Sequence, residues 1–303
     1  MTAADSTGPS AEHATAGLSV ATKATVLCEA LPYIRRFAKR VIVVKYGGNA
    51  LAGNDPAAAL AYFAEDVVLL RSVGMQPVVV HGGGPQIGDL MERLGKVPQF
   101  VDGLRVTDSE TLEIARMVLV GKVNRDIVGA MNVHGPVAVG LSGEDAGLIA
   151  ATPRDEALGY VGDIAAVDPA ILRKLIAEGL IPVIATIGSD AAGQAYNINA
   201  DTVAGAVAEA VGAEKLIFLT DIEGIRTDPG DPATLVTRLR AAQLDDLMSS
   251  RAVSSGMIPK ASACAHAVRH GVGSAHVLDG RVRHALLLEL LTPEGVGTMV
   301  VGP

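Results

Sequence analysis

The stretch that most constrains the fold is residues 41–48, which read Val-Ile-Val-Val-Lys-Tyr-Gly-Gly. Its four leading apolar residues predict a buried strand, and a lysine and two glycines follow. In an open parallel sheet, ligands bind just beyond the carboxyl ends of the strands. Gly47 and Gly48 allow a tight turn whose N–H groups can approach an anion, and Lys45 adds a positive charge there. This stretch alone fits a phosphate site and a surface lysine before a simple glycine turn equally well.

A second unit of the same kind follows. A helical pattern over about residues 56–73 leads to an apolar strand over 76–80, which ends in His81-Gly82-Gly83-Gly84-Pro85. Glycines between a strand and a helix expose N–H groups at the helix N-terminus, where anions bind. The spacing is neither the Rossmann G-x-G-x-x-G nor the Walker-A G-x-x-x-x-G-K-[ST]. Two neighbouring glycine-terminated strands therefore favour an anion site of another kind.

Composition narrows the classes of function. The chain has 303 residues, is 49% hydrophobic and carries a net charge of −8 without a basic run. This argues against a nucleic-acid or membrane-surface partner, and no apolar run reaches the roughly 18 residues that span a bilayer. Residues 1–20 lack the features of a signal peptide and are expected to be a disordered tail. Cys28 and Cys264 lie far apart in helical patterns, which indicates free thiols in a cytoplasmic protein.

The first helix, over about residues 21–39, precedes the first strand and is an addition to the core fold. Leu27, Leu31 and Ile34 form an apolar stripe, and Pro32 is expected to kink the helix. Two alternatives remain open for this stripe, which either packs on the body of the protein or meets another subunit.

The remaining pattern alternates strands with helices. A long helix is predicted over about 109–132 with Thr107 or Asp108 as its N-cap, and a peripheral β-hairpin is predicted over 147–167. Alternation of this kind implies one predominantly parallel sheet with helices on both faces.

Several polar residues follow strands or open helices, where ligands would bind. Arg105 lies between apolar residues, so a ligand carboxylate and a structural salt bridge are both open as partners. Asn197, Asn199 and Asp201 precede or open an alanine-rich helix, and capping explains only one of them, for example Asn199.

Lys260 completes this set, because it follows Gly256 and Pro259 in the first turn of a helix. The helix macrodipole disfavours a cation there, which suggests an anion between the lysine and the helix end.

This inventory fits phosphoryl transfer. The sequence shows no Ser-His-Asp arrangement and no His or Cys cluster for zinc. Cations and N–H groups stabilise a transferring phosphoryl group with little proton chemistry. A carboxylate acceptor is already ionised and needs no general base, whereas a hydroxyl acceptor would require one, with Asp201 as the candidate.

Taken together, the motifs resemble those of the N-acetyl-L-glutamate kinases, within the amino acid kinase superfamily. The resemblance runs from about residue 24 to the C-terminus. It rests on Lys45-Tyr46-Gly47-Gly48-Asn49-Ala50, His81-Gly82-Gly83-Gly84-Pro85, Gly103-Leu104-Arg105-Val106-Thr107, Asn197-Ile198-Asn199-Ala200-Asp201 and Gly256-Met257-Ile258-Pro259-Lys260.

The resemblance implies a fold, an activity and a domain plan. The fold would be a three-layer αβα sandwich around an open, mostly parallel sheet of about eight strands, with the extra kinked N-terminal helix. The activity would be ATP-dependent phosphorylation of the γ-carboxylate of N-acetyl-L-glutamate, the second step of arginine biosynthesis. After the tail, a single domain would cover 21–303, with a substrate lobe over about 40–180 and a nucleotide lobe over about 181–303.

The same resemblance assigns roles to residues. Two lysines would stabilise the transferring phosphoryl group, an aspartate would organise them, and Mg²⁺ would arrive complexed to ATP without a direct protein ligand. The implied catalytic residues are Lys45, Lys260 and Asp201; the substrate-binding residues are Gly83, Gly84, Arg105 and Asn197; and the ATP-binding residues are Gly47, Gly48, Thr220, Asp221, Gly224 and Met257.

The N-terminal helix and the C-terminal segment over 289–299 are similar to those of the arginine-sensitive branch of this family. In that branch the helix joins dimers into a ring-shaped hexamer, a trimer of dimers, and arginine is a feedback inhibitor. Some relatives also bind a nitrogen-signalling protein of the PII type. Nothing in this sequence tests whether the chain does so. The implied arginine contacts are Tyr33, Lys215, His276, Glu289 and Gly295.

Two rival interpretations stay open at this point. A sibling kinase would act on carbamate, glutamate, aspartate or a nucleoside monophosphate. A non-catalytic metabolite sensor would keep the fold but need not keep Lys45, Asp201 and Lys260.

Overall fold

The computed structural model describes residues 19–47, 55–228, 230–250, 257–293 and 295–302. The helices are α1 (Val20–Phe37), α2 (Pro56–Ser72), α3 (Gly84–Arg93), α4 (Ser109–Arg116), α5 (Asn124–Asn132), α6 (Ala170–Ala177), α7 (Ala200–Val211), α8 (Ala241–Ser249), α9 (Ile258–Arg269) and α10 (Ala285–Leu291). The strands are β1 (Val41–Tyr46), β2 (Gln76–His81), β3 (Phe100–Val101), β4 (Leu104–Arg105), β5 (Ala138–Ser142), β6 (Ile149–Pro153), β7 (Val161–Val167), β8 (Ile181–Ala185), β9 (Ile187–Ser189), β10 (Ala195–Ile198), β11 (Lys215–Thr220), β12 (Arg238–Arg240), β13 (Ser274–Asp279) and β14 (Thr298–Val301).

Eight strands form the central sheet in the order β12-β14-β13-β11-β1-β2-β8-β5. All neighbouring pairs are parallel except β13 with β14, which run antiparallel. The predicted mostly parallel sheet of about eight strands is thus confirmed. Strand β1 lies near its centre, between β11 and β2.

Side chains of β1 alternate between two hydrophobic cores, one on each face of the sheet. Val44 and Tyr46 pack in the core that includes residues of α2, α5 and α10, whereas Val43 packs in the core that includes residues of α7 and α9. This alternation follows from the two-residue period of a strand. It buries β1 on both faces and confirms the three-layer αβα arrangement.

The predicted hairpin over 147–167 is confirmed as the antiparallel pair of β6 and β7. Two strands that the sequence did not predict, β9 and β10, close this pair into a small four-stranded barrel. The barrel therefore carries the segment that leads into α7, and it forms a wall next to the carboxyl edge of the main sheet.

Helix α1 begins after Ser19, whose side chain caps Thr22 N, and it continues through Pro32 to Phe37. Only Phe37 of this helix is buried, whereas Leu27 is 74% and Leu31 is 51% exposed. The apolar stripe of α1 therefore stays largely uncovered within one chain. The predicted tail, apart from its last two residues, lies outside the described residues.

The predicted helix over 109–132 is confirmed, with Asp108 as its N-cap. Its middle turn, Met117–Val123, has π-helical geometry between α4 and α5. Within the described parts of the chain, no helix is both long and apolar enough to cross a membrane.

Candidate active site

Two lysines face one buried aspartate at the carboxyl edge of the sheet. Lys45 Nζ lies 3.0 Å from Asp201 Oδ1, and Lys260 Nζ lies 2.9 Å from Asp201 Oδ2. Lys45 comes from β1, Asp201 from the first turn of α7 and Lys260 from the first turn of α9. The Asp201 carboxylate is therefore the anion that lies beside Lys260 in the structure. Two cations and one anion leave a net charge of about +1 at this point.

The local sequence positions Asp201. The Asn199 side chain accepts hydrogen bonds from the backbone N–H groups of Asp201 and Thr202, so it caps α7 as predicted. Asp201 is only 5% exposed. Burial acts to raise its pKa, but Lys45 and Lys260 together hold the pKa of this carboxyl below its ordinary value. Asp201 thus stays ionised and holds both ammonium groups.

The two glycine turns lie against each other because β1 and β2 are neighbouring parallel strands. Gly47 has a φ of 152°, and a Cβ at this position would lie 3.2 Å from the backbone nitrogen of Gly82. A side chain at Gly47 would therefore crowd the second turn. Gly48 lies outside the described residues.

The turn after β2 is packed tightly on one side only. A Cβ on Gly83 would lie 2.7 Å from Leu119 in the π-helical turn, whereas a Cβ on Gly84 would meet nothing within 4 Å. Gly83 precedes α3 without any side-chain cap. The first N–H groups of α3 therefore have no side-chain partner at the helix start and are available to an anion.

A buried histidine supports this turn, and sequence reasoning did not assign it a role. His81 Nδ1 donates to Gly82 O at 2.9 Å, while its Nε2 accepts from Asn124 Nδ2 at 3.0 Å. Burial lowers the pKa of His81 to about 4, so the imidazole stays neutral at neutral pH. Asn124 lies 43 positions away, on the helix that packs against the turn.

A cavity of about 240 Å³ opens beside Lys45. It lies between the glycine turn after β2, the β3–β4 hairpin and the barrel. Its lining includes Lys45, Gly83, Gly84, Arg105, Asn197 and Asn199. All four predicted substrate residues thus line one cavity, and the predicted catalytic residue Lys45 lines it too.

Arg105 has no carboxylate partner among the described residues. Its Nη2 donates to Gly84 O at 2.9 Å, and its guanidinium lies 4.7 Å from the centre of the Phe100 ring. Burial lowers the pKa of Arg105 from its usual value, although a guanidinium remains charged. Of the two partners that the sequence left open, a structural salt bridge is therefore absent from the described contacts. The Asn197 side chain is similarly free for a ligand, with one long contact of 3.5 Å to Thr107 Oγ1.

The predicted nucleotide residues lie farther along the sheet. Thr220 ends β11, and its hydroxyl donates to Asp221 Oδ1 at 3.1 Å. Met257 is buried directly before α9. Gly224 has a φ of 152°, and a Cβ there would lie 2.6 Å from Thr298 Oγ1. Packing against β14 alone therefore requires glycine at 224, whether or not a nucleotide binds nearby.

The five predicted arginine contacts come together around Lys215, at the start of β11. Lys215 Nζ lies 2.9 Å from His276 Nε2, and His276 Nδ1 lies 2.6 Å from Glu289 Oε1. Gly295 has a φ of 59° beside Glu289, and Tyr33 lines the same cavity of about 670 Å³. We call these five residues the Lys215 cluster.

Burial governs the charges in the Lys215 cluster. It lowers the pKa of Lys215 to about 8 and also lowers the pKa of His276. Burial acts to raise the pKa of Glu289, but the contact with His276, the hydrogen bond from the Val296 N–H and the nearby Lys215 charge together hold this pKa below the ordinary value. A neutral imidazole therefore links a lysine to an ionised carboxylate.

Comparison with known proteins supports the same family that the motifs resemble. Residues 40–279 match the profile of the amino acid kinase family. The acetylglutamate kinase of Symbiobacterium thermophilum is 54% identical over 288 residues, which cover 92% of this chain and 97% of that protein. The acetylglutamate kinase of Methanothermobacter thermautotrophicus is 50% identical over 289 residues, which cover 91% and 98%.

Solved structures share the fold. N-acetylglutamate synthase from Neisseria gonorrhoeae, complexed with coenzyme A and N-acetyl-glutamate, superimposes with a TM-score of 0.81 at 29% identity. That match covers 92% of this chain but only 63% of the synthase. The same synthase complexed with coenzyme A and L-arginine gives 0.79 at 29% identity, over 92% of this chain and 65% of the synthase. Carbamate kinase from Giardia lamblia, bound to AMP-PNP, gives 0.68 at 15% identity over 88% and 99%, a likeness of fold alone.

The family profile spans most of the chain, and acetylglutamate kinases of at least 50% identity align over more than nine-tenths of it. This chain therefore belongs to the amino acid kinase family and, within it, to the acetylglutamate kinases.

Proposed function

We propose that the chain phosphorylates the γ-carboxylate of N-acetyl-L-glutamate with ATP, as the second step of arginine biosynthesis. The observation that carries this proposal is the buried Lys45–Asp201–Lys260 arrangement beside a cavity lined by Arg105, which has no carboxylate partner in the part of the chain that the structure describes. The names of the aligned relatives support the same substrate.

The chemistry follows from the charges in the cleft. The acceptor carboxylate is ionised at neutral pH, so one of its oxygens attacks the γ-phosphorus of ATP directly. The bond between this phosphorus and the β,γ-bridging oxygen breaks, and its electron pair leaves with ADP. No proton moves in this step, which matches a cleft whose aspartate is held ionised by two lysines.

Lys45 and Lys260 have complementary roles in this proposal. Lys45 lines the acceptor cavity, so it would stabilise the phosphoryl group from the acceptor side. Lys260, on α9 next to Met257, would act from the nucleotide side. Asp201 holds the two ammonium groups around one carboxylate and prevents their mutual repulsion from driving them apart.

Arg105 and the start of α3 suit the two ends of the acceptor. The α-carboxylate would pair with the guanidinium of Arg105. The γ-carboxylate would receive N–H groups of Gly83 and Gly84, and Asn197 would donate from the opposite wall. A cavity of about 240 Å³ is of the right order for a small acylamino acid.

The nucleotide would enter as its Mg²⁺ complex, with the phosphates over Gly47 and Gly48 and the remainder near Thr220, Asp221, Gly224 and Met257. Asp201 lies between two lysines, so we place no protein carboxylate on the magnesium ion. We therefore propose that residues of about 40–180 form an acceptor lobe and that residues of about 181–303 form a nucleotide lobe.

We also propose that arginine inhibits the reaction by binding at the Lys215 cluster. Glu289 supplies a carboxylate for a guanidinium, and the 670 Å³ cavity has room for the ligand. A solved structural neighbour of 29% identity was complexed with L-arginine, which supports the same ligand class. Replacing Glu289 by Gln should abolish inhibition by arginine while turnover without arginine stays near the wild-type value. Unchanged inhibition in this variant would contradict the assignment.

The exposed stripe of α1 supports a proposal about assembly. A helix with Leu27 and Leu31 more than half exposed gains stability when another copy covers these side chains. We place this helix at a contact between dimers in a hexamer. Light scattering of the intact chain and of a Leu27→Glu, Leu31→Glu double variant tests it, because the variant should lose the largest species.

The activity itself is tested with hydroxylamine trapping. Only an acyl phosphate gives a hydroxamate, so the assay separates carboxylate acceptors from hydroxyl acceptors. N-acetyl-L-glutamate should give ATP-dependent hydroxamate, and glutamate without the acetyl group should give far less. Equal rates with glutamate would point to a sibling kinase, and no turnover with any acceptor would favour the sensor interpretation.

A further inference from the structure

A cluster of metal-ligand side chains lies on the surface, far along α7 and α9 from the cleft. Glu209 of α7, His266 of α9 and His270, the residue directly after α9, place one ligand atom each within 4.8 Å of one another. The two histidines are four positions apart at the end of α9, so they project from the same face. Glu209 comes from a separate helix, so the pattern along the sequence did not indicate this cluster.

The tautomer of His270 suits metal binding. Its Nδ1 lies 2.8 Å from His266 O, so this nitrogen carries the proton and donates it to the carbonyl. The Nε2 lone pair is therefore left for a cation. A hydrogen bond from the second ring nitrogen is the usual way in which proteins orient a metal-ligating histidine.

The other two proposed ligands, His266 and Glu209, already lie close to each other. His266 Nε2 lies 3.5 Å from Glu209 Oε2. In a tetrahedral zinc site, bond lengths of about 2.0–2.1 Å place ligand atoms roughly 3.3 Å apart. The stacked rings of His266 and His270, with centroids 3.9 Å apart, must open slightly to admit an ion. All three side chains are exposed and can make this change.

We propose that Glu209, His266 and His270 form a binding site for a transition-metal dication of the Zn²⁺ class. Two imidazoles and one carboxylate favour Zn²⁺, Co²⁺ or Ni²⁺ over Mg²⁺. Three protein ligands leave the fourth position of a tetrahedral ion to water. This site is separate from the Mg²⁺ that enters with ATP and does not depend on the proposed activity.

The site would fasten two helices that also build the cleft. Asp201 lies near the start of α7 and Lys260 near the start of α9, whereas the metal ligands lie near the other ends. The two helices pack directly against each other. A bound ion adds a link between α7 and α9 that exists only in the folded protein, so it raises the unfolding temperature.

The experiment titrates the metal-free full chain with Zn²⁺ in excess Mg²⁺ and measures binding by isothermal titration calorimetry. The wild type should bind one Zn²⁺ per chain, and Co²⁺ should give the visible absorption of a four-coordinate site. His270→Ala removes one ligand but leaves the contact between Glu209 and His266. Removing an outer-shell partner of a metal ligand costs about 10–100-fold in affinity, so losing His270 itself should cost at least the upper end of this range.

Two variants serve as matched controls. His134→Ala removes an exposed histidine outside the cluster, and Cys28→Ser removes the exposed thiol that could also bind zinc. Both should keep the wild-type affinity, stoichiometry and Zn²⁺-dependent rise in unfolding temperature. Turnover without zinc should be unchanged in His270→Ala, which shows that the variant is folded.

An equal Zn²⁺ affinity in the wild type and His270→Ala would overturn the proposal. So would loss of binding in Cys28→Ser alone, because the thiol would then be the ligand. Absence of binding by the wild type at micromolar Zn²⁺ would also overturn it and would leave only an exposed contact between Glu209 and His266.

Discussion

Replacing Lys45 by methionine tests the proposed mechanism most directly. The Lys45 side chain is 7% exposed, and methionine keeps most of its length at the end of β1. The change removes one positive charge, so the net charge of the lysine–aspartate arrangement falls from about +1 to about 0. Lys260 remains to pair with Asp201, so the fold should survive the loss of one of the two ion pairs.

The expected loss in rate follows from Coulomb's law. A unit charge about 4 Å from another contributes about 4 kcal/mol at an effective dielectric constant of 20. Removing a single preorganised donor from a transition state costs about 2.7–4 kcal/mol in other enzymes. At about 1.4 kcal/mol per factor of ten, kcat should fall by roughly 100- to 1,000-fold.

The assay is hydroxamate formation from N-acetyl-L-glutamate at saturating ATP. Circular dichroism and urea unfolding show whether the variant keeps its fold. Lys122→Met is the matched control, because Lys122 is 62% exposed and pairs with Asp126 along the helix surface; its kcat should not change measurably. A folded Lys45→Met chain with nearly wild-type kcat would refute the assignment of Lys45 to phosphoryl transfer.

Two further predictions concern Arg105, which lines the same cavity, and His81, which supports the glycine turn beside it. Arg105→Ala should raise the KM for N-acetyl-L-glutamate by roughly 10- to 100-fold, since a hydrogen-bonded ion pair contributes about 1.5–3 kcal/mol; the KM for ATP serves as the internal control, and an equal rise in both constants would contradict a specific carboxylate contact. The pKa of His81 is about 4 in the folded protein and about 6.5 in the unfolded chain. Between these two pH values the unfolded chain therefore binds more protons than the folded protein. The free energy of unfolding should decrease as pH falls through this range, by roughly 3 kcal/mol in all. Urea unfolding of His81→Gln beside the wild type measures this, and an identical pH slope in both proteins would show that the imidazole is not buried and neutral.

Local pattern was sufficient to predict the long apolar strands at the centre of the main sheet and the residues that follow them. Lys45, Gly83 and Asp201 each lie at a strand end or helix start, where apolar runs, glycines and capping residues indicate the position along the chain. A parallel sheet then brings these positions to one edge, so their convergence could be predicted as well.

Contacts between distant elements could not be predicted in this way. The His81 imidazole accepts a hydrogen bond from Asn124, which lies 43 positions away. Nothing in the sequence around Asn124 indicates this contact. Strands β9 and β10 are three and four residues long, so their pattern is too short to distinguish from a loop. Gly224 shows a related problem, because its φ and its contact with Thr298 require glycine for reasons of packing, although the motif suggested a nucleotide contact.

The proposed arginine inhibition must act over the length of two neighbouring strands. Lys215 begins β11 opposite Ile42 of β1, and Lys45 lies three residues farther along β1, which is about 10 Å in a strand. Strands β1 and β11 each lie between two other strands of the sheet, so a local loop movement cannot connect the two ends. The Lys215 ammonium also lies 5.2 Å from the centre of the Phe37 ring, at the end of α1. A ligand that displaces Lys215 would therefore disturb both the end of α1 and the pairing of β11 with β1, the strand that carries Lys45.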